Sequence, residues 1–125
     1  MKLFIETAFE DHRGKISDLL VGEAIDGVSL VTFTPGAVRA NHYHKQTTQW
    51  TYVAKGTILY ASQLTGAEKQ EAQLQAGDFV VSRPNEAHAY KAITEAEILV
   101  FTKGPRVGFD YEKDTFRLDD PLIPT

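Results

Sequence analysis

Short runs of alternating or β-branched residues, each ended by Gly, Pro, Asn or Asp, most strongly limit how this chain can fold. GVSLVTF at 27–33 is one such run, and QWTYVAKGTILYASQL at 49–64 predicts two strands around a turn at Lys55 and Gly56. The runs recur about every 8–12 residues, which is typical of sandwiches and barrels. The pattern therefore predicts an all-β fold.

The second half of the chain continues the same pattern. EKQEAQLQAGDFVVSRP at 68–84 predicts a strand, a Gly-Asp turn and a buried strand over Phe79–Val81, and AHAYKAI and AEILVFTKG follow as two more strands. The one stretch that could form a helical turn is ISDLLVGEA at 16–24. Its alternative is a strand over Ile16–Leu20.

The length of 125 residues predicts one domain, residues 1–125, with an N-terminal strand segment at 1–26 and a C-terminal arm at 104–125. The arm either adds an edge strand around Thr115–Leu118 or packs on a neighbouring subunit. Small sheets with open edges commonly pair with a second copy. We therefore expect a homodimer that exchanges either the N-terminal strand or the C-terminal arm.

The composition excludes several classes of function. The chain has no cysteine, so disulfides, thiolate metal sites and cysteine nucleophiles are ruled out. Its net charge is −4 and its Lys and Arg residues form no dense run, which argues against nucleic-acid and membrane partners. The N-terminus has no apolar run long enough for a leader or a membrane helix. We expect a cytoplasmic protein with a small-molecule substrate.

Three of the four histidines lie at positions that can converge. His42 and His44 are two residues apart, so their rings project from the same face of a strand. Gln49 can return to the same pocket across a bend, and a turn before His88 can bring that ring beside the pair. Three imidazoles are a standard nitrogen set for a divalent first-row metal such as Zn, Fe, Mn, Ni or Cu. His12 lies in a charged segment and is interpreted as a surface residue.

The first of these stretches resembles a conserved motif of the cupin superfamily. The motif positions are occupied here by Gly36, His42, His44, Gln49 and Gly56. Gln49 stands where the family has glutamate. A neutral amide oxygen cannot offset the charge of a cation, so a metal would depend more on the three nitrogens.

The second cupin motif follows at the appropriate distance. It is matched by Gly77, Asp78, Pro84 and His88. Asn85 can adopt the left-handed backbone of the family's glycine, whereas Ala92 replaces an expected asparagine. The resemblance covers about residues 27–103. It implies a double-stranded β-helix, the jelly-roll barrel, with its site inside.

The resemblance further implies a divalent metal, namely Zn, Fe, Mn or Ni. Its ligands would be His42, His44, Gln49 and His88. A metal-free site in which a histidine acts as a base remains open, because Gln49 is uncharged.

Two further segments are similar to cupins that act on nucleotide sugars. Asp11, Arg13 and Gly14 form an Asp-x-Arg-Gly pattern, and Arg39 lies three residues before His42. This resembles dTDP-4-dehydrorhamnose 3,5-epimerases, dTDP-sugar ketoisomerases and the cupin domain of capsular-polysaccharide reductases. The Arg-Gly dipeptide of the epimerase motif is Arg-Ala here. The resemblance implies a sugar or sugar nucleotide as substrate.

An epimerase or isomerase needs a base, a proton donor and a group that binds negative charge. The narrower resemblance assigns His42 as the base. Tyr90 is the expected proton donor because it lies two residues after His88 and so on the same face. Arg39 is expected at the diphosphate, with Arg13 and Lys45 as further candidates.

The aromatic residues Trp50, Tyr52 and Tyr60 are expected to pack rather than react. Two other functions remain open. One is a metal-dependent oxygenase, using Fe or Mn, that acts on a small acid. The other is a non-catalytic barrel that binds a small ligand.

Overall fold

The computed structural model describes residues 1–106 and 108–125. Within these two stretches the chain is built almost wholly of strands. They are β1 (Lys2–Leu3), β2 (Thr7–Asp11), β3 (Gly14–Ser17), β4 (Gly27–Phe33), β5 (Val38–Tyr43), β6 (Thr48–Lys55), β7 (Thr57–Leu64), β8 (Gln70–Gln75), β9 (Phe79–Ser82), β10 (Glu86–Ala92), β11 (Ala96–Lys103) and β12 (Phe116–Arg117), with helix α1 (Gly108–Lys113) before the last.

Two antiparallel five-stranded sheets enclose the core. One has the order β1-β9-β6-β11-β4 and the other β12-β5-β10-β7-β8, while β2 and β3 form a separate hairpin. Side chains from both sheets meet in one buried cluster, which includes Phe33, Val53, Ile58, Tyr60, Leu74, Val80, Tyr90 and Ile98. Two packed antiparallel sheets in this non-sequential order form the predicted jelly roll.

The alternating pattern of the sequence follows from this packing. In β11, Ala96, Ile98, Val100 and Thr102 are buried while the residues between them are partly exposed, as expected when one face of a strand meets a core. All four residues of β9 are buried, because the N-terminal segment covers the outer face of its sheet. The predicted buried strand is therefore confirmed.

Both turns predicted from glycine are present. Gly56 joins β6 to β7 at φ 87°, and Gly77 precedes β9 at φ 98°. A Cβ on Gly56 would overlap the backbone of Glu95 and Ala96 in the turn before β11. Gly56 is thus required both for its left-handed backbone and for a close approach between two turns.

The secondary structure near the two chain ends differs from what the sequence predicted. No helical turn forms over 16–24, and the strand at this place, β3, ends at Ser17 rather than reaching Leu20. The helix observed is instead α1, which sequence periodicity did not indicate because it is six residues long and buries no side chain. Val107, in the predicted C-terminal arm, lies outside the described residues.

The C-terminal arm packs on its own chain. Phe116 and Arg117 pair with Tyr43 and His42 as the edge strand β12, which the sequence offered as one alternative. Leu122 and Ile123 then pack on the outer face of the second sheet against alanines of β7 and β10. The sequence also offered an arm packed on a neighbouring subunit; within this chain, Leu122 and Ile123 of the arm cover the chain's own sheet.

No helix within the described part of the chain is long and apolar enough to cross a membrane.

Candidate functional site

A cavity of about 250 Å³ lies between the two sheets at one end of the barrel. Its polar lining consists of Arg39, His42, Gln49, His88, Tyr90, Arg106 and Tyr111. A larger surface cleft of about 440 Å³ next to Trp50 contains none of the histidines. The 250 Å³ cavity is therefore the candidate site.

The three predicted histidines come together beside this cavity, which His42 and His88 line directly. His42 and His88 pair directly across β5 and β10, and their ring centroids are 4.8 Å apart. The ring of His44 is 4.8 Å from that of His42 and 5.6 Å from that of His88. One ring nitrogen from each residue lies within 4.8 Å of the others.

A bulge in β5 precedes these histidines. His88 pairs with His42 while Ala89 pairs with Ala40, so Asn41 is an extra residue. Ala40 has φ 72° and Asn41 has φ 56°. Asparagine tolerates this left-handed region, but alanine does so at a cost of about 1 kcal/mol. The similar nucleotide-sugar motif has glycine at the position of Ala40. The replacement of that glycine by alanine has therefore not removed the left-handed backbone conformation at this position.

The amide of Asn41 holds the bulge against the C-terminal arm. Its Nδ2 donates to the carbonyl of Ile123 at 2.9 Å, and its Oδ1 accepts from the Ile123 amide at 3.1 Å. The Leu118 amide also donates to the Asn41 carbonyl at 2.9 Å. The arm thus helps to orient the strand that carries His42.

Backbone carbonyls determine which nitrogens are available on two of the rings. His44 Nδ1 lies 2.8 Å from the carbonyl of Asp114, and His88 Nδ1 lies 3.4 Å from that of Glu86. A carbonyl only accepts, so each Nδ1 carries the hydrogen and each Nε2 keeps its lone pair. Among the described residues neither buried Nε2 has a hydrogen-bond partner.

The three imidazoles are neutral at pH 7. Burial, followed by the neighbouring His44 and Arg117, lowers the pKa of His42 to about 4. Burial lowers the pKa of His44, and burial followed by His42 and His44 lowers that of His88 well below its ordinary range. Neutral rings with free, buried lone pairs are what a divalent metal requires, so this donor set fits one.

Gln49 and Tyr90 form the base of the cavity. Gln49, predicted as a fourth ligand, lies in the lining, and its Nε2 donates to the Tyr90 hydroxyl at 3.2 Å. That hydroxyl also lies 2.7 Å from Thr51 Oγ1. Burial raises the pKa of Tyr90 to about 12, although the hydrogen bonds from Thr51 and Gln49 oppose the change. Tyr90 is therefore protonated at neutral pH.

Only one of the three predicted cations lines the cavity. Arg39 stacks on the Phe33 ring, 5.3 Å from its centroid, and donates to the Thr32 carbonyl at 3.1 Å. Arg13 is bound to Asp11 on the exposed hairpin, and Lys45 lies over the Phe116 ring on the second sheet's edge.

The C-terminal segment contributes residues that the sequence did not indicate. Arg106 stacks on Tyr111 at 4.4 Å and donates to Ser29 Oγ at 3.0 Å, and the Tyr111 ring lies 5.6 Å from that of His44. Both side chains line the cavity. No spacing rule marks them, because they reach the site only when the segment after β11 folds back across the barrel mouth.

The aromatic residues expected to pack do so. Trp50 is buried on the outer face of the first sheet with Phe79, and Tyr52 packs against the same cluster. Tyr60 is in the core, where its hydroxyl bonds Ser82 at 2.8 Å.

The solved structures that are similar to this chain include two sugar ketoisomerases and a sugar epimerase. The sugar 3,4-ketoisomerase QdtA from Thermoanaerobacterium thermosaccharolyticum, in complex with TDP, is 17% identical with a TM-score of 0.72 over 92% of this chain and 86% of that chain. The TDP-fucose-3,4-ketoisomerase WlaRA from Campylobacter jejuni is 12% identical with a TM-score of 0.76, and the coverages are 93% and 87%. The dTDP-4-dehydrorhamnose 3,5-epimerase from Sulfolobus tokodaii is 18% identical with a TM-score of 0.67, and the coverages are 80% and 68%.

Identities this low show a common fold, and no curated protein sequence matches the chain. A family model described as a cupin domain matches residues 29–102, which is more than half of the chain. The matched range contains the bulged strand, the three histidines and both Gly-bounded turns. The chain therefore belongs to the cupin family.

Proposed function

We propose that this cupin is an epimerase or ketoisomerase that acts on a keto-sugar, supplied as a sugar nucleotide. One observation carries the proposal: His42, Tyr90 and Arg39 line the same small cavity. They are a neutral base, a protonated phenol and a cation. Removal and return of a proton beside a carbonyl need these three kinds of group.

The proposed reaction moves a proton through the two titratable groups. His42 Nε2 or Nδ1 removes the hydrogen from the carbon next to the sugar carbonyl, and the C–H electron pair forms an enolate. The low pKa of His42 leaves it unprotonated at neutral pH, and an anionic substrate raises that pKa toward the range of an effective base. Tyr90 then donates its hydroxyl proton to the same carbon from the other face, and the enolate electrons form the new C–H bond as the carbonyl is restored. The protonated His42 then releases its proton to solvent, and the Tyr90 phenolate takes one up.

The size of the cavity indicates how much of the substrate enters. About 250 Å³ is below the range of about 300–1,000 Å³ for pockets that enclose drug-sized ligands. A cavity of this volume suits one sugar ring. The diphosphate and the nucleobase would extend out of the cavity, whose lining includes the guanidinium groups of Arg39 and Arg106. The similar ketoisomerase QdtA, solved with TDP, supports this class of ligand.

His42, His44 and His88 would hold a divalent metal, with the amide oxygen of Gln49 as a neutral fourth donor. When bound, the metal would supply a Lewis acid that polarises the sugar carbonyl. The lone pair of His42 cannot serve as ligand and base at once, so the two roles belong to different states of the site.

Metal analysis of the purified protein, with a His88→Ala variant as control, tests the ligand set. Unchanged metal content in that variant would contradict it.

The function is tested by solvent deuterium exchange into a TDP-linked 4-keto-6-deoxyglucose. We expect exchange in the wild type and none in His42→Asn. Tyr90→Phe should lower product formation by about 10²-fold or more, in line with the contribution of a positioned acid. Tyr60→Phe is the matched control, since Tyr60 is an equally buried phenol that bonds Ser82 instead of the cavity residues. No exchange in the wild type, or exchange that survives His42→Asn, contradicts the proposal.

The unpartnered nitrogens of His44 and His88 favour a second candidate, a metal-dependent oxygenase acting on a small acid. Stoichiometric iron together with oxygen consumption would establish it over the isomerase. A ligand that raises the melting temperature and is recovered unchanged would instead indicate a binding protein.

We also propose a homodimer in which the β2–β3 hairpin is covered by a second copy. This hairpin pairs only with itself in the described structure, and Phe9 and Ile16 are more than half exposed. The long edge strand β4 likewise exposes Val28 and Leu30. An isolated two-stranded hairpin is marginal in water, so it requires cover. Sedimentation should give a dimer for the wild type and a monomer for Phe9→Ser combined with Ile16→Ser.

A further inference from the structure

We propose that Asp114 is a positioning residue, which holds the ring of His44 in the tautomer that keeps a lone pair on Nε2, within the cluster that His44 forms with His42 and His88. This rests on the proposed function only in taking His44 as part of the site. Asp114 follows α1, far from His44 in sequence, and only 3% of its surface is exposed. Its side-chain carboxylate and its backbone carbonyl both accept hydrogen bonds from the loop after β5.

The carboxylate of Asp114 anchors the backbone next to His44. It accepts hydrogen bonds from the amides of Lys45 and Gln46, both at 3.0 Å, and from Thr47 Oγ1 at 2.7 Å. Hydrogen bonds to a carboxylate are stronger than neutral ones. Three consecutive residues are therefore held by one charged group.

The backbone carbonyl of Asp114 acts on the ring itself. It accepts from His44 Nδ1 at 2.8 Å, which keeps the hydrogen on Nδ1 and leaves Nε2 as a buried acceptor that has no hydrogen-bond partner among residues 1–106 and 108–125. The carbonyl can do this only while the side chain keeps Asp114 against the loop. One residue thus fixes both the loop that follows His44 and the orientation of its ring.

The loop held by Asp114 is also closely packed at Thr47. Gly104 approaches Thr47 so closely that a Cβ on Gly104 would lie 2.6 Å from Thr47 Oγ1. The Tyr111 ring lies 5.6 Å from that of His44. A buried carboxylate is expensive to desolvate unless it is hydrogen-bonded, and the three donors of the loop supply those bonds to Asp114.

The test is the tautomer of His44, measured in metal-free protein by 15N-histidine NMR. The wild type should show the Nδ1–H form alone. Asp114→Ala should show both tautomers, and its affinity for Zn²⁺ should fall about 10- to 100-fold, as for other residues that orient a ligand. Asp114→Asn keeps an acceptor for the loop amides and should give a smaller population of the second tautomer.

Leu122→Ala is the control for simple loss of stability. It opens a space on the far side of the second sheet, where Leu122 is buried, and does not contact the histidines. We expect a lower melting temperature with an unchanged His44 tautomer. A single Nδ1–H form of His44 in Asp114→Ala would overturn the proposal. An equal population of the second His44 tautomer in Leu122→Ala would also overturn it. If Asp114→Ala does not fold, a wild-type spectrum in Asp114→Asn overturns it. The tautomer is independent of deuterium exchange into a sugar, so failure of the proposed reaction would not be mistaken for failure of this inference.

Discussion

The low pKa of His42 predicts that the protein loses stability in mild acid. The folded-state pKa of about 4 lies below the ordinary value of 6.5, so between these pH values the unfolded chain binds more protons than the folded one. The contribution of His42 is thus complete above pH 6.5 and is lost as the pH falls toward 4. One pKa unit corresponds to about 1.4 kcal/mol, which makes the loss about 2–3 kcal/mol at pH 4.5.

The assay is urea unfolding at pH 7.5 and pH 4.5 with a chelator present, monitored by the fluorescence of Trp50, the one tryptophan. His42→Gln is compared with the wild type, because protonation of the carboxylates and of the other histidines affects both proteins. The wild type should lose about 2–3 kcal/mol more than the variant between the two pH values. Equal losses would refute the reasoning, since burial of a neutral imidazole would then contribute nothing.

Three further predictions concern the scaffold and are measured by chemical denaturation. Gly56→Ala should lower the free energy of unfolding far more than Gly36→Ala. Both glycines have positive φ, which costs alanine about 1 kcal/mol, but of the two only Gly56 has backbone atoms where a Cβ would lie. Equal losses in the two variants would contradict this. Asn41→Ala should lower the free energy of unfolding by about 1–3 kcal/mol and raise hydrogen exchange at the amide of Ile123, its hydrogen-bond partner. Unchanged exchange would contradict a role of Asn41 in holding the C-terminal arm. Leu74→Ala should cost about 2–5 kcal/mol, because Leu74 is fully buried in the core; a loss below 1 kcal/mol would mean that the core closes over the space.

Local patterns predicted most of the barrel. GVSLVTF coincides with β4, and the strands on either side of Gly56 begin and end within a residue of their predicted positions. Alternation is a reliable signal here because each strand meets the core with one face, and a glycine turn has few alternatives in backbone conformation. The ends were predicted less well, since α1 is short and buries no side chain, and Arg106 and Asp114 on either side of it form hydrogen bonds with residues distant in the chain.

The sequence by itself determined the strand order along the chain, the motif spacing and the three histidines, because residue type and separation are local properties. Only the tertiary structure decided which nitrogens stay free and how deeply the rings are buried. The carbonyl that orients His44 comes from Asp114, and the pKa of His42 depends on burial and on neighbouring charges. Such contacts join residues distant in the chain, and no local pattern records them. The chemistry of the site therefore follows from how the C-terminal segment closes over the barrel.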